Sequence, residues 1–450
     1  MRLTCSVFVL SIVTIGPTSQ VWAQTNEEAF EQFQWQISTP GARANAMGRA
    51  FMASAGDASA AEINPAGLID LRRPQISVEF RSTNLRVGRL AAIDSLFTGA
   101  LTTSSETMNA ASFVGAAVPL RGNKVAIALA RHEFLDYKSS FHTAPRALPG
   151  VVGMVRAYLP NDGQVDFRAV TYAASIGVAV HESVRVGLTV SLDRLRADSL
   201  NTHHDIIVGP DPFDLTETAI ITNQARVDDA DTGVGLAVGA MYQPVRAVSL
   251  GFVFSKGPSF KVSEDFQLNS DRPRGVNGPL VSQDGFPKQI SLNVPDQVSA
   301  GVALRPHPRV FLVFDTTYIK YSALAKGLTP IRSRDLLTGN DFKISDATEV
   351  HFGGELNVAS NKNPVFLRAG VFTNHDHSLR FVGNVQPGGD VTPAQAQRTN
   401  AIERSVFNLG KHETTVTGTF GGGFVVGQHG QVDVAYVWKQ QLVVSLGGRF

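Results

Sequence analysis

Val184-Arg185-Val186-Gly187-Leu188-Thr189-Val190-Ser191-Leu192-Asp193 alternates without interruption: every even position is apolar, and every odd position is small, polar or charged. A period of two puts one apolar and one wet face on an extended strand. Thr348 to Val358 repeats the design, with Val350, Phe352, Leu356 and Val358 on one side and Glu349, His351, Glu355 and Asn357 on the other. A soluble sandwich also alternates, so spacing has to decide. Strands read near Pro74–Ser82, Ser112–Leu120, Lys124–Glu133, Asp166–Val180, Val184–Arg196, Thr232–Gln243, Arg246–Ser255, Pro295–Leu304, Arg309–Lys320, Thr348–Val358, Pro364–Thr373, His412–Val426, Gln431–Trp438 and Gln441–Phe450, fourteen in all. Short turns, such as Arg121-Gly122-Asn123 and His181-Glu182-Ser183, take turns with long excursions, of which only the last, near Lys439-Gln440, is short. An even number of strands of about ten residues, with tight turns at one end and long loops at the other, predicts a membrane-spanning antiparallel β-barrel of the outer-membrane type.

Composition agrees with export to a membrane. The 450 residues carry 40 Lys+Arg against 39 Asp+Glu, a net charge of +1 with no basic block, so nucleic acid is not an expected partner. An apolar content of 43% excludes a wholly disordered chain. Met1-Arg2, the apolar stretch Val7 to Ile15 and the small-residue site Val21-Trp22-Ala23 read as a signal peptide over residues 1–23, which contains the only cysteine, Cys5. No later run approaches the roughly 18 apolar residues of a membrane helix. Leu442, Val444, Leu446 and the terminal Phe450 share a face, as in barrels handled by the outer-membrane assembly machinery. Tyr242, Tyr318, Tyr321, Tyr436 and Trp438 stand near strand ends, where aromatic girdles meet outer-membrane lipid.

Residues 24–73 break the pattern. Asn26-Glu27-Glu28 can start a short helix that Pro40-Gly41 ends, and the small-residue stretches that follow suit close packing inside a lumen. This predicts a plug over residues 24–73 and a barrel over residues 74–450. Gly48-Arg49-Ala50, Asp57-Ala58-Ser59-Ala60-Ala61 and Asn64-Pro65-Ala66-Gly67-Leu68 resemble the N-terminal hatch of the FadL/TodX family of outer-membrane transporters for long-chain fatty acids and other hydrophobic compounds. A PorV-like branch, which serves protein secretion, shares the form seen at Gly41-Ala42-Arg43-Ala44. The resemblance implies a fourteen-stranded barrel closed by a hatch and passive uptake of hydrophobic small molecules in a Gram-negative outer membrane. The hatch motif would be Asn64, Pro65, Ala66 and Gly67. It also implies a lateral exit at a kinked third strand, yet Lys124 to Glu133 contains neither Gly nor Pro, whereas Gly115 and Pro119 lie in the second strand.

The loops argue independently for apolar cargo. The connection after the third strand carries Val151, Val152, Met154 and Val155, and the one before the second carries Leu85, Val87, Leu90, Ile93, Leu96, Phe97 and Leu101. Exposed apolar patches mark binding surfaces, so the first cluster is a candidate for ligand capture, although such loops can also cap one another. By parity Arg81, Arg185 and Arg368 point into the lumen, where a guanidinium suits a carboxylate bidentately, with Glu79, Glu349 and Glu355 as competing partners. His203-His204-Asp205 and His375-Asp376-His377 lack a closing ligand set, Asp228-Asp229-Ala230-Asp231 reads as a solvated loop, and Gly421-Gly422-Gly423 marks a bend or a close neighbour. No nucleophile, metal or phosphate-binding motif is present, which predicts neither enzymatic activity nor a cofactor or metal. If Val151, Val152, Met154 and Val155 first capture cargo, replacing them with Ser and Asp removes roughly 100 Å² of apolar contact. That is worth about 2.5 kcal/mol at roughly 25 cal/mol per Å², and it should lower uptake of a labelled hydrophobe more than tenfold while a small hydrophilic solute is unaffected.

Overall fold

The computed structural model describes residues 37–54, 56–93, 99–120, 122, 124–143, 146–147, 156–158, 161–208, 217–271, 276–326, 341–359, 364–389, 391–408, 414–427 and 429–450. Fourteen strands form the wall: β1 (Gln75–Ile93), β2 (Gly99–Leu120), β3 (Val125–Thr143), β4 (Asn161–His181), β5 (Val184–Val208), β6 (Glu217–Val245), β7 (Val248–Lys256), β8 (Gln297–His307), β9 (Val310–Ile319), β10 (Ala347–Asn357), β11 (Val365–Asn374), β12 (Thr415–Val426), β13 (Gly430–Val437) and β14 (Gln441–Arg449). Each pairs antiparallel with its sequence neighbours, and β1 pairs with both β2 and β14, so the sheet closes on itself as a barrel. Closure matters because unpaired strand edges cannot be satisfied in hydrocarbon.

Alternation sorts the residues as the pattern predicts. On β5, Val186, Leu188, Val190 and Leu192 face outward while Arg185, Thr189 and Asp193 are buried on the lumen side. On β10, Val350, Phe352 and Leu356 face outward while Glu349 and His351 are buried. Tyr242, Tyr318 and Trp438 are exposed, but Tyr321 is buried and stacks on His377 at 3.9 Å, so it belongs to the interior and not to a girdle.

The strands are longer than the alternation suggested. β5 has 25 residues and β6 has 29, against the roughly ten needed to span a bilayer. Beyond the apolar band the outward positions turn polar, which removes the signal but not the ladder: Asp198 pairs with Asp228, and His203 with Asn223. His203, His204 and the run Asp228 to Asp231 are therefore strand residues, and so are Leu85, Val87, Leu90, Ile93 and Leu101, which lie on a β1–β2 ribbon that reaches Ile93 and Gly99. Leu96 and Phe97 lie outside the described residues.

Above the membrane band this extension is filled and not hollow. Tyr137, Phe167, Phe260 and Phe407 are fully buried within one apolar cluster that includes Leu195, Phe342 and Phe381. Helix α3 (Pro393–Phe407), held at its start by a Thr392/Gln395 capping box, contributes Phe407, whose ring packs edge-on against Phe342 at 5.0 Å. Closed ladders of this length should make the folded form resist SDS at room temperature, so the chain should migrate differently before and after boiling and require detergent for recovery. Isolation as a detergent-free soluble monomer would contradict the architecture.

Candidate functional site

The lumen is blocked by residues 37–73, which form two short helices, α1 (Ala42–Ala46) and α2 (Ala60–Ile63), and a 3-10 turn over Pro65–Asp70. Elements this short satisfy few of their own backbone groups, so the wall supplies partners. Gly41 N donates to Glu79 at 2.5 Å, and Ala42 N donates to Ser445 at 2.8 Å. Gly48 N donates to Thr419 at 2.9 Å, and Phe51 N and Met52 N both donate to Asp315. Ser175 and Thr189 donate to the Ala61 carbonyl at 3.0 and 2.8 Å.

Close approach of two backbones requires a wall without side chains at the contact. A Cβ at Gly177, Gly187 or Gly239 would run into Asn64, Pro65 or Ala66, one at Gly251 into Met52, and one at Gly353 or Gly370 into Met47 or Gly48. Gly421, from the triple glycine of β12, abuts Ala46. These positions form a glycine collar around the hatch. The motif residues Asn64, Pro65, Ala66 and Gly67 are buried against β4, β5 and β6. Asn64 accepts from Ala66 N at 3.1 Å, starting the 3-10 turn that Pro65 preorganises, and donates to the Met52 carbonyl at 2.7 Å, tying two parts of the hatch together.

Arg81, Arg185 and Arg368 point into the lumen and are buried, each facing a carboxylate. Arg81 pairs with Glu79 at 2.6 Å and donates to the Thr39 carbonyl of the hatch at 3.1 Å. Arg185 pairs with Asp70 at the end of the hatch. Arg368 pairs with Glu355 at 2.7 Å and Asp433 at 2.6 Å, and Glu355 also holds Arg43 of the hatch bidentately. Glu349 instead accepts from the Tyr321 hydroxyl at 3.1 Å. Removing Arg368 would leave Asp433 buried without its cation, while Glu355 keeps Arg43, at about 3–5 kcal/mol. Val151, Val152, Met154 and Val155 lie outside the described residues. Among the described residues no group of three potential metal ligands occurs.

The wall opens along one seam that sequence inspection misses. β2 and β3 pair only from Leu120↔Val125 to Phe113↔His132, and above that β2 follows β1 while β3 follows β4. β3 bulges between Glu133 and Leu135, so that His132, Glu133, Phe134 and Leu135 are all buried, and a register shift in β2 leaves Ser112 and Phe113 buried together. A bulge needs no Gly or Pro, which is why the composition of the third strand gave no warning. Arg131 spans the foot of the seam, donating to the Ala111 carbonyl and to Glu133. A small cavity of about 30 Å³ lies behind it, lined by Arg81, Met108, Ala110, Ser112 and Phe134 among others. Ser38 of the hatch is stitched to the bulge: its N–H donates to the Phe134 carbonyl at 2.9 Å and its hydroxyl to the Glu133 carbonyl at 3.1 Å.

A larger cavity, about 190 Å³, lies between the hatch and strands β3 to β8, where Ile37, Pro40, Met52, Ile63 and Phe134 meet Glu62, Thr171, Thr189 and Asp193. Oε1 of Glu62 has no hydrogen-bond partner, and Oε2 stands 3.8 Å from His132 Nδ1. Burial pushes the Glu62 carboxyl up to about 7.

A closed fourteen-stranded barrel with a stitched lumenal hatch, an apolar outer band and a parted seam in its wall is the architecture of an outer-membrane channel for molecules that favour apolar surroundings. Residues 23–377 match the family model described as outer membrane protein transport protein (OMPP1/FadL/TodX), and the chain belongs to that family. Among solved structures it is similar to a Pseudomonas aeruginosa FadL homologue, at 14% identity and a TM-score of 0.61 over 92% of this chain and 99% of the other. It is likewise similar to the toluene transporters TbuX of Ralstonia pickettii, at 12% identity and a TM-score of 0.55 over 93% and 100%, and TodX of Pseudomonas putida, at 12% and 0.55 over 92% and 97%. Nothing among curated protein sequences matches.

Glu62 makes hatch docking pH-dependent. In the docked hatch its carboxyl titrates near 7, and in the undocked chain near the ordinary 4.5, so between these values the docked form holds a proton that the undocked form lacks. The stability that Glu62 adds to docking is therefore fully present below about pH 4.5 and is lost as pH rises through 7. Protease access to residues 42–73 should increase across that window, and Glu62→Gln should flatten the dependence. An unchanged slope in the variant would remove Glu62 from this role.

Proposed function

We propose that this protein is a passive uptake channel for hydrophobic small molecules, long-chain fatty acids and aromatic hydrocarbons among them, in the outer membrane of a Gram-negative bacterium. On this reading residues 1–23 are a signal peptide, residues 24–73 are the hatch, and outer-membrane assembly machinery inserts the barrel. The observation that carries the proposal is the β2–β3 seam, with a cavity at its foot and Ser38 of the hatch clipped to the bulged strand. A molecule captured on the outer side, at Val151, Val152, Met154 and Val155, reaches the lumen cavity, displaces the Ser38 clip and leaves sideways between β2 and β3. Apolar cargo then never crosses water, and no bond is made or broken. The names of the related toluene transporters support apolar cargo.

Arg81, Arg185 and Arg368 in this scheme anchor the hatch while it is closed. A carboxylate headgroup would take over one of them only as its internal ion pair breaks, which couples acidic cargo to hatch movement. Asn64, Pro65, Ala66 and Gly67 hold the hatch in one shape, so that it moves as a unit.

Ala110→Trp fills the cavity at the foot of the seam. In proteoliposomes or whole cells it should lower uptake of a labelled fatty acid and a labelled aromatic hydrocarbon by at least tenfold, with heat-modifiable migration and leakage of a small hydrophilic solute unchanged. Full uptake through the filled seam would overturn the exit route. If hydrophobe uptake is normal in a deletion strain and an exported protein instead fails to reach the surface, a secretion-assisting barrel replaces the transporter.

A further inference from the structure

The ladder lapses at a second place, four strands from the first. β6 pairs with β7 from Val245↔Val248 up to Leu236↔Lys256, and pairing on that edge resumes only at Val227↔Glu264, where β6 meets the strand Ser259–Asn269. Between them residues 228–235 keep their partners on β5 but have no backbone partner on the other edge. Side chains bridge the lapse instead: Asp231 accepts from Lys261 N at 2.6 Å and Asp229 from Ser263 N at 2.8 Å. The facing chain is Gly257-Pro258, whose missing donor at Pro258 could not continue a ladder. Gly233 lies against it so closely that a Cβ there would stand 2.8 Å from the Pro258 Cβ.

The larger cavity lies directly behind this lapse. Its lining runs from Phe134 at the first seam, past Thr171 and Asp193, to Gly235, Lys256 and Pro258 at the second. Leu236, whose side chain is exposed on the outer face, is also part of that lining, and Val234 beside it is 65% exposed. One cross-strand row, Phe113↔His132↔Thr171↔Asp193↔Gly233, links the two lapses, and above it β3 to β6 remain continuously paired as a four-strand panel.

We infer that the β6–β7 lapse is a second side window, through which a neutral apolar molecule passes between the cavity and the outer leaflet. The inference rests on the reading of the barrel as a hydrophobe channel. A contact made by Gly233 and Pro258 without backbone hydrogen bonds can part at far lower cost than a ladder, and the carboxylates of Asp229 and Asp231 keep the neighbouring amides satisfied while it does. On the approach Lys256 is engaged by Asp296 at 3.0 Å, and Asp193 and Glu62 offer no cation to a carboxylate headgroup, which suits a neutral cargo.

The test is a reversible staple. Gly233→Cys with Pro258→Cys, oxidised, should lower transport of a radiolabelled monoaromatic hydrocarbon into proteoliposomes at least threefold, with recovery on reduction; Ser112→Cys with Glu133→Cys closes the first seam for comparison. Unchanged transport through the oxidised second staple, with the first staple still blocking, overturns the window and leaves the channel reading intact. A wild-type barrel that carries no hydrocarbon above protein-free vesicles overturns both. A photoreactive, uncharged diazirine-tagged hydrocarbon on the wild-type protein gives an answer independent of the variants' assembly: labelling of Thr232–Val234, in the gap and outside the cavity lining, supports the window, and lumen labelling confined to the cavity lining or to residues 108–112 and 133–137 overturns it.

Discussion

A hatch inside a barrel has to satisfy its backbone without water and without much secondary structure of its own, and the rest of this molecule is arranged around that requirement. Two helices and one 3-10 turn satisfy part of the backbone of residues 37–73 internally, and the wall supplies the rest of the stitching: Glu79, Ser445, Thr419 and Asp315 take the amides of Gly41, Ala42, Gly48, Phe51 and Met52, while Ser175, Thr189 and Thr419 donate to the carbonyls of Ala61 and Ala46. Side chains this short, or held this close, reach only if the two backbones nearly touch. The glycine collar follows from that, and so does the alanine-rich sequence of the hatch. Lumen charge is organised by the same requirement: Arg43, Arg81 and Arg185 each tie a hatch group to the wall, with Arg368 completing the network.

Function enters where this tight fitting is relaxed. The two lapses in the wall both adjoin cavities, and both lie beside the row of lumen residues that runs from Phe113 to Gly233. The first is formed by bulges and held by Arg131 and Ser38. The second is formed by a Gly-Pro step and held by aspartates. At both lapses the wall thus gives way next to the space a ligand would occupy.

The barrel was legible because its outward face must be apolar at every second residue, and a period-two signal survives in segments such as Val184–Asp193. The strands lost legibility where lipid ends: beyond Arg196 and before Thr232 the outward face turns polar, so ladders reaching His203 and Asp228 look like loop. Inward parity placed Arg81, Arg185 and Arg368 correctly in direction, but their partners were only partly readable. Glu79 and Glu355 lie on strands of known parity, whereas Asp70 belongs to the hatch, whose path no periodicity describes. The seam was invisible for a different reason, since Phe134 is bulged by register and not by composition. The inward spacing of Gly177, Gly187, Gly239, Gly251, Gly353 and Gly370 was the available clue to where the hatch would press.

The stitch between Ala42 and Ser445 has a consequence for how the chain assembles. Its two ends are 403 residues apart in sequence, and Gly41 meanwhile depends on Glu79 of the first strand. The N-terminal hatch segment therefore has no finished binding surface until the last strand has joined the first. Such non-local contacts form late because the closure entropy must be overcome before they can contribute. The hatch is thus a reporter of completion: a barrel caught before its final strand is in place would be an open ring with an unstitched plug, and only the finished circle would be sealed.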